Sequence, residues 1–184
     1  ASHLARFVQS LAAAGAQVPT DPDDYAGLHA WSVRESRAFW AHLVHTCREG
    51  LDLQGPAHPV RVGDDCETAR FFPRLRLNYA HSLLSLRVAP AEAPALTACH
   101  AEGPVRRYTR GQLREAVARA ALGLRALGLE AGDRVVAVAR NDEAAVIAGL
   151  AVTALGATLS TAAPEMGVQA LRERFAPQAP RLLL

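Results

Sequence analysis

GDRVVAVARNDEAAVIAGL, residues 132–150, contains the transition that decides the fold. Within it, Val135–Ala139 is a continuous apolar run, which is typical of a strand covered on both faces. Asn141 can cap the helix that follows, and Asp142 and Glu143 suit the positive N-terminal end of that helix. The stretch therefore predicts a buried strand that leads directly into a helix.

The rest of the second half continues this alternation of strands and helices. Its further predicted strands are short apolar runs next to turn residues, at 95–101, 105–108, 157–161 and 181–184, with a turn at Glu102–Pro104. Thr109–Gln112 reads TRGQ, a capping box that opens a long helix, and Pro164 with Glu165 is predicted to begin the last helix. Alternating strands and helices favour a parallel sheet with right-handed crossovers.

The first half is predicted to be mainly helical. Residues 3–14 have the apolar spacing of an amphipathic helix. A second short helix is expected to have Pro22 at its first position. Ser32–Glu35, which reads SVRE, has the pattern of a capping box for a third helix. Residues 50–70 are rich in loop-forming residues, and a further helix over 78–87 has Asn78 as its expected cap.

The segment VAPAEAPA at 88–95 is predicted to be a linker. It suggests two domains, a helical N-terminal extension over 1–87 and the first part of an α/β domain over 88–184. The predicted fold class is α/β, with the helical extension followed by a partial, doubly wound parallel sheet. Because the sequence ends on an apolar strand, we expect the native protein to continue past Leu184.

Composition excludes several classes of function. The chain has 184 residues, 50% hydrophobic, with a net charge of +2, and its 20 basic side chains are all arginine. The arginines form no basic run, so we expect no nucleic-acid partner. No run of eighteen apolar residues occurs, so we expect no membrane partner. Without lysine, and without GxxxxGK or GxGxxG, the chain has neither a phosphate-binding loop of those kinds nor a Schiff-base lysine.

The cysteines and histidines give no strong site. Cys47, Cys66 and Cys99 have no CxxC spacing, which suggests reduced thiols and a cytoplasmic location. His42 and His45 lie at i, i+3 with Cys47 nearby, but no fourth metal ligand is evident. The carboxylates at 64, 65 and 67 lack the fixed spacing of a cation site. We predict no metal site in this chain.

A family resemblance rests on residues 108–158, which read YTRGQLREAVARAALGLRALGLEAGDRVVAVARNDEAAVIAGLAVTALGAT. This stretch resembles the early N-terminal domain of the adenylate-forming acyl-CoA synthetases. Their pattern is a Tyr-Thr pair before a long helix, then Gly-Asp-Arg-Val, a strand, an Asn-containing turn and a helix ending in Leu-Gly-Ala. The segments YAGLHAWSVRESRAFWAHLV (25–44), FFPRLRLNYAHSLL (71–84) and GATLSTAAPEMGV (156–168) resemble the acetoacetyl-CoA synthetase branch of that superfamily.

The resemblance implies an acid–thiol ligase that works in two half-reactions. A carboxylate attacks the α-phosphate of ATP with Mg²⁺ present, and the thiol of CoA then displaces AMP. The implied acid is acetoacetate or a related short 3-oxo acid. The family's Ser/Thr/Gly-rich loop, Mg²⁺-binding carboxylate and C-terminal lysine do not occur here. We therefore expect an inactive fragment with no catalytic residue of its own, which pairs with the remainder of the enzyme or self-associates through Arg181–Leu184.

One binding site is predicted beyond the carboxyl ends of the strands, where ligands of such sheets lie. These ends are Arg140-Asn141 and Ser160-Thr161. By the resemblance, the turn after the strand at 157–161 lies along the path by which the thiol enters. The residues assigned to the pantetheine side are Ser160, Thr161, Ala163, Pro164 and Glu165. A purely structural interpretation also exists, because Pro164 can start a helix, Glu165 suits a helix dipole and Ser160 can satisfy the backbone.

Two other functions remain open from the sequence. The domain could belong to a loading ligase that passes the acyl group to a carrier protein in a polyketide or peptide assembly line. It could also be a non-catalytic α/β interaction module. The stretch 71–84 is interpreted as a structural clasp between the extension and the sheet domain rather than as a substrate site, with Asn78 capping its helix.

Overall fold

A computed structural model describes residues 2–19, 21, 23–100 and 103–184. The chain divides into two compact units. The first comprises Ala1–Glu49 and Leu53–Arg76, and the second comprises Gly50–Asp52 and Leu77–Leu184. Each unit has a hydrophobic core of its own. Among the described residues, no helix combines the length and the apolar character that crossing a bilayer requires.

Three helices form the main part of the first unit: α1 (His3–Ala13), α2 (Tyr25–Arg34) and α3 (Ser36–Cys47). The core side chains are nearly inaccessible to solvent, and they are Val8, Leu11, Leu28 and Trp31. Phe7 of α1 packs edge-on against Phe39 of α3, with ring centroids 5.8 Å apart. Apolar faces at helical spacing therefore hold this unit together.

The junction between α2 and α3 differs from the prediction. The capping box predicted at Ser32–Glu35 is wrong, because α2 continues through Ser32, whose hydroxyl donates to the carbonyl of His29 at 2.8 Å. Glu35, which precedes α3, makes no side-chain cap. Pro22 lies outside the described residues. The cap of α2 is Asp24, whose Oδ1 accepts from the Gly27 amide at 2.8 Å.

Four two-residue strands follow along the chain: β1 (Leu53–Gln54), β2 (Arg61–Val62), β3 (Arg70–Phe71) and β4 (Arg76–Leu77). β2 and β3 pair antiparallel, with Arg61 opposite Phe71. The Phe71 ring packs against Trp40 of α3 at 5.4 Å. Phe71 is therefore part of the first unit, whereas Leu77 and the residues after it belong to the second. The clasp assigned to 71–84 stays a prediction.

The second unit begins with a short helix and a hairpin: α4 (Tyr79–Leu83), β5 (Pro94–Ala98) and β6 (Arg106–Thr109), the two strands being antiparallel. Ala101 and Glu102, at the predicted strand end and turn, lie outside the described residues. α4 is shorter than predicted, and its last carbonyls are satisfied by arginines instead of by further helix. Arg110 Nη1 lies 2.6 Å from the Leu83 oxygen, and Arg114 Nη1 lies 2.6 Å from the Leu84 oxygen.

α5 (Arg110–Ala126) begins with the predicted capping box, which is confirmed. The Thr109 hydroxyl accepts from the Gln112 amide at 3.3 Å, and the Gln112 side chain accepts from the Thr109 amide at 2.9 Å. Two amide groups at the start of α5 are thereby satisfied. Gly128 follows the helix with φ near +81°, the left-handed conformation that glycine adopts without strain.

A parallel sheet forms the rest of the unit, with elements β7 (Arg134–Val138), α6 (Glu143–Ala154), β8 (Thr158–Ala162), α7 (Val168–Phe175) and β9 (Leu182–Leu183). The strand order is β8-β7-β9, and both pairings are parallel. Val135 packs in the core that contains Leu124 of α5 and Leu150 of α6, whereas Val136 packs against Phe175 of α7. Helices therefore cover both faces of β7, which confirms the predicted α/β fold class.

Candidate functional site

The carboxyl ends of β7 and β8 form a crevice. After β7 the chain turns into α6 on one face of the sheet, and after β8 it turns into α7 on the other face. The two turns diverge, which opens a space between them. This arrangement is the topological switch point at which open α/β sheets bind ligands.

A concavity of about 560 Å³ occupies this crevice. Its lining comes from the turn after β7, the first turn of α6 and the turn after β8, and it consists of Ala139, Arg140, Asn141, Ala145, Thr161, Ala162, Ala163, Pro164 and Glu165. A smaller concavity of about 280 Å³ adjoins it and shares Arg140 and Thr161. The two together are large enough to receive an elongated small molecule.

Four of the five residues predicted for the thiol path line this concavity: Thr161, Ala163, Pro164 and Glu165. Ser160 does not, because its hydroxyl accepts a hydrogen bond from Gln178 Nε2 at 3.2 Å. Successive residues of a strand point to opposite faces, so Ser160 faces the α7 side whenever Thr161 faces the α6 side. The functional role of all five residues stays a prediction.

The turn after β8 is where the prediction of the last helix is wrong. α7 begins at Val168 with Gly167 as its N-cap, so Pro164 and Glu165 precede the helix instead of starting it. The Met166 amide donates to the Ala163 carbonyl at 3.1 Å and closes a turn. Pro164 occupies the second position of that turn, which its fixed φ suits. Both residues are thereby exposed at the crevice.

The turn after β7 supplies Arg140 and Asn141, which were predicted to lie at a strand end where ligands bind but were not among the residues assigned to the pantetheine side. Asn141 was predicted to cap α6, which is wrong, because Asp142 is the cap and its Oδ1 accepts from the amides of Ala144 and Ala145 at 2.9 and 3.2 Å. A carboxylate interacts more favourably with the helix N-terminus than an amide does. Asn141 is left exposed beside Arg140. Their place directly after a buried strand was the signal that put both residues at this end of the sheet.

Opposite charges stand on the two walls of the crevice. Arg140 belongs to the turn after β7, and Glu165 belongs to the turn after β8. An arginine can bind a phosphate or carboxylate through two parallel hydrogen bonds. The chain has no lysine to do so. The concavity therefore offers one fixed cation, neutral hydrogen-bonding groups at Asn141 and Thr161, and one carboxylate.

A buried carboxylate lies directly beyond the β7 turn. The side chain of Glu143, the first residue of α6, is only 8% exposed. Its Oε1 is 2.6 Å from Arg106 Nη1, and its Oε2 is 3.0 Å from His100 Nε2. Its own backbone amide, with Arg106 and His100, lowers the pKa of the Glu143 carboxyl although burial opposes this. Glu143 therefore stays ionised at neutral pH.

The described residues give no support for a metal centre. In ranges 2–19, 21, 23–100 and 103–184, no three His, Cys, Asp or Glu side chains form a group that could hold a metal ion. The Nε2 atom of His42 lies 2.7 Å from the Ser10 hydroxyl. Partial burial and the neighbouring His45 lower the pKa of His42.

A family profile and individual known proteins both match this chain. The sequence profile described as AMP-binding enzyme matches residues 86–184, more than half of the chain. An acetoacetyl-coenzyme A synthetase of Rhizobium meliloti (strain 1021) is 36% identical over 161 residues, which cover 88% of this chain and 24% of that protein. A malonamoyl-CoA synthetase of Penicillium aethiopicum is 33% identical, covering 86% of this chain and 22% of that protein.

The solved structures agree with the sequence comparison. The acetoacetyl-CoA synthetase from Streptomyces lividans matches 98% of this chain with a TM-score of 0.88 and 33% identity, and the match covers 27% of that chain. The present chain thus spans about a quarter of the length of the relatives it matches. Because the family profile covers more than half of the chain, the chain belongs to the AMP-binding enzyme family.

Proposed function

We propose that the protein containing this chain is an ATP-dependent acyl-CoA synthetase. The observation that carries the proposal is the fold match to the Streptomyces lividans acetoacetyl-CoA synthetase over 98% of the chain. The similarity to synthetases of CoA thioesters from Rhizobium meliloti and Penicillium aethiopicum supports it. Residues 1–87 are assigned to a helical extension and residues 88–184 to the first part of the adenylation domain.

The proposed reaction has two steps. A carboxylate oxygen of the acid attacks the α-phosphorus of ATP, which forms an acyl-adenylate and expels pyrophosphate. The sulfur of CoA, having lost its proton, then attacks the acyl carbon and expels AMP, which leaves the thioester. We assign Mg²⁺ binding to parts of the protein outside residues 1–184. We assign the residues that stabilise the phosphate charges to the same parts.

The proposed acid is a short carboxylic acid with a carbonyl group at position 3. Acetoacetate and malonamate, the acids that correspond to the names of the relatives, share this feature and differ in the group on that carbonyl, which is methyl in one and amino in the other. A hydrogen bond to the 3-carbonyl would separate these acids from saturated acids of the same length, because an unmatched buried donor costs binding energy.

We assign the crevice between β7 and β8 to the thiol. Thr161, Ala163, Pro164 and Glu165 form one wall of its concavity, and Arg140 and Asn141 belong to the other. A narrow pantetheine arm, which carries amide groups, fits a space with neutral hydrogen-bonding groups. Ser160 remains in the proposal as support for the same turn, since it accepts a hydrogen bond from Gln178.

We also propose a compartment for the protein and a partner for the exposed edge of its sheet. Its three cysteines, at positions 47, 66 and 99, are unpaired and exposed, which supports a reducing compartment, and we place the reaction in the cytoplasm. Leu183 of β9 is 67% exposed at the edge of the sheet. We expect this edge to pair with another part of the protein, or with a second copy of the chain when these 184 residues are prepared alone.

The test is acid-dependent exchange of pyrophosphate into ATP by the complete protein, followed by release of AMP on addition of CoA. We expect exchange with acetoacetate and much less with butyrate. Residues 1–184 alone are expected to give none. An absence of acid-dependent exchange by the complete protein would contradict the proposal. If the acyl group passes to a holo-carrier protein and not to CoA, the acceptor is the carrier protein. This is the outcome expected of a loading ligase.

A further inference from the structure

Glu143 joins two parts of the second unit that the backbone alone does not join. Its side chain is 8% exposed, and both carboxylate oxygens have cationic or ring-nitrogen partners, Arg106 at 2.6 Å and His100 at 3.0 Å. Arg106 lies in β6, and His100 follows β5 by two residues. A buried carboxylate is retained only when it is paired in this manner. Both partners come from the hairpin, and Glu143 comes from α6.

The contacts of Glu143 with Arg106 and His100 form neither the side-chain cap of α6 nor the backbone ladder of the β5–β6 hairpin. The N-terminus of α6 is already capped, because Asp142 accepts from two of its free amides. The β5–β6 hairpin has its own backbone ladder of four residue pairs, with a shift of register between Pro94 and Leu96. The Asp142 cap and the hairpin ladder therefore do not involve the Glu143 side chain. What the contacts with Arg106 and His100 add is a fixed position of the α6 N-terminus relative to the hairpin.

That position determines one wall of the crevice. The turn of residues 139–142 lies between β7 and Glu143, and it has one anchor at each end. At its start, the Ala139 amide donates to the Ala162 carbonyl of β8 at 3.0 Å. At its end, Glu143 is held to the hairpin. Arg140 and Asn141 lie between the two anchors, with their side chains exposed at the concavity.

We propose that Glu143 is a positioning residue for the thiol substrate, acting through the turn that carries Arg140 and Asn141. The proposal rests on the function proposed above. Glu143 is not among the residues that line the concavity. Its removal should therefore weaken thiol binding and leave the adenylation step, which uses other parts of the protein, nearly unchanged.

The test compares Glu143→Gln with Glu115→Gln in the complete protein. Gln has the size of Glu but carries no charge, and Glu115 is an exposed residue of α5 whose side chain lies 3.9 Å from Arg119. We expect Glu143→Gln to raise the KM for CoA about tenfold with little change in kcat or in acid-dependent pyrophosphate exchange. Glu143→Asp should recover part of the loss, and Glu115→Gln should change nothing.

Hydrogen exchange of the same variants gives a second measurement that needs no activity. Glu143→Gln should speed exchange in residues 140–146 and leave α5 unchanged. The proposal would be overturned if Glu143→Gln reduced the rates of pyrophosphate exchange and of the thiol step equally. An unchanged KM for CoA in this variant would also overturn it. If the wild-type protein shows no acid-dependent exchange, the proposed function fails by itself. Faster hydrogen exchange confined to residues 140–146 would then still support the positioning role, and unaltered or global exchange would overturn it.

Discussion

Asn78 and Thr153 are 75 residues apart in the chain, yet the side-chain amide of Asn78 donates to the main-chain oxygen of Thr153 over 3.2 Å. It also donates to the oxygen of Ala154 at 3.1 Å, and its own Oδ1 accepts from the His81 amide at 3.0 Å. One side chain thus caps the start of α4 and satisfies carbonyls at the end of α6. This side chain therefore links two helices that also pack in a shared core.

Replacement of Asn78 by Ala should therefore be costly. The variant loses the cap of α4, which is typically worth about 1 kcal/mol, and two hydrogen bonds at about 0.5–1.5 kcal/mol each. We expect the free energy of unfolding, measured by urea titration, to fall by about 2 kcal/mol. Asn141→Ala is the matched control, because Asn141 is exposed and should stay within about 0.5 kcal/mol of the wild type.

Asn78→Asp separates the two roles of the side chain. The carboxylate can still cap α4, but it cannot donate to Thr153 or Ala154, and its charge lies beside the negative end of α6. We expect this variant to be at least as destabilised as Asn78→Ala at neutral pH. A wild-type stability for Asn78→Asp would show that the contact with α6 contributes nothing.

The capping box at the start of α5 gives a second stability prediction. Thr109→Val removes the hydroxyl that accepts from the Gln112 amide and keeps the shape of the side chain. We expect a loss of about 1 kcal/mol in the free energy of unfolding. Thr158→Val, at an exposed position of β8, makes the same chemical change without a cap and should have little effect. Equal effects of the two substitutions would contradict the assignment.

The stability of the chain should depend on pH through Glu143. Its backbone amide, Arg106 and His100 lower the pKa of the Glu143 carboxyl in the folded state. The resulting stabilisation is complete above the ordinary pKa of about 4.3 and is lost as the pH falls through the lower, folded-state value. The stability difference between the wild type and Glu143→Gln should therefore shrink as the pH falls below the ordinary pKa of the carboxyl. A difference that stays constant or grows on acidification would contradict this pKa shift.

Short residue patterns predicted the structure correctly where it depends on residues that are neighbours in the chain. The capping pair Thr109–Gln112 and the cap Asn78 follow directly from short patterns, and both are present. The same type of pattern failed at Ser32–Glu35, because a Ser-x-x-Glu spacing also fits the interior of a helix, and α2 continues through Ser32. Pro164 fits both a helix start and a turn. Only the tertiary structure distinguishes these cases.

The site was partly predictable for the same physical reason. The turn after β8 was assigned because ligands lie beyond the carboxyl ends of parallel strands. The contacts of Glu143 were not, since Arg106 and His100 are 37 and 43 residues away in the chain. No pattern of neighbouring residues indicates such a pairing. Strand alternation also separates Ser160 from Thr161, which sequence alone could not assign to particular faces.

Arg140 is expected to contribute charge to the crevice. Arg140→Gln removes the guanidinium and keeps a polar side chain of similar length. We expect the KM for CoA to rise about tenfold, the loss of one charge-assisted hydrogen bond, with less salt dependence than in the wild type. Arg119→Gln, at an exposed position of α5, is the control. An unchanged KM in Arg140→Gln would remove Arg140 from the proposed thiol path.

The central claim is that the thiol enters between β7 and β8, and Ala163→Phe in the complete protein tests it most directly. Ala163 is exposed at the concavity, and Ala170 on α7 is an exposed alanine outside its lining. In Ala163→Phe, we expect acid-dependent pyrophosphate exchange within about twofold of the wild type, and CoA-dependent AMP release slowed at least about tenfold. Ala170→Phe should alter neither rate. If Ala163→Phe leaves the CoA step intact, or slows both steps equally, the thiol does not use this crevice.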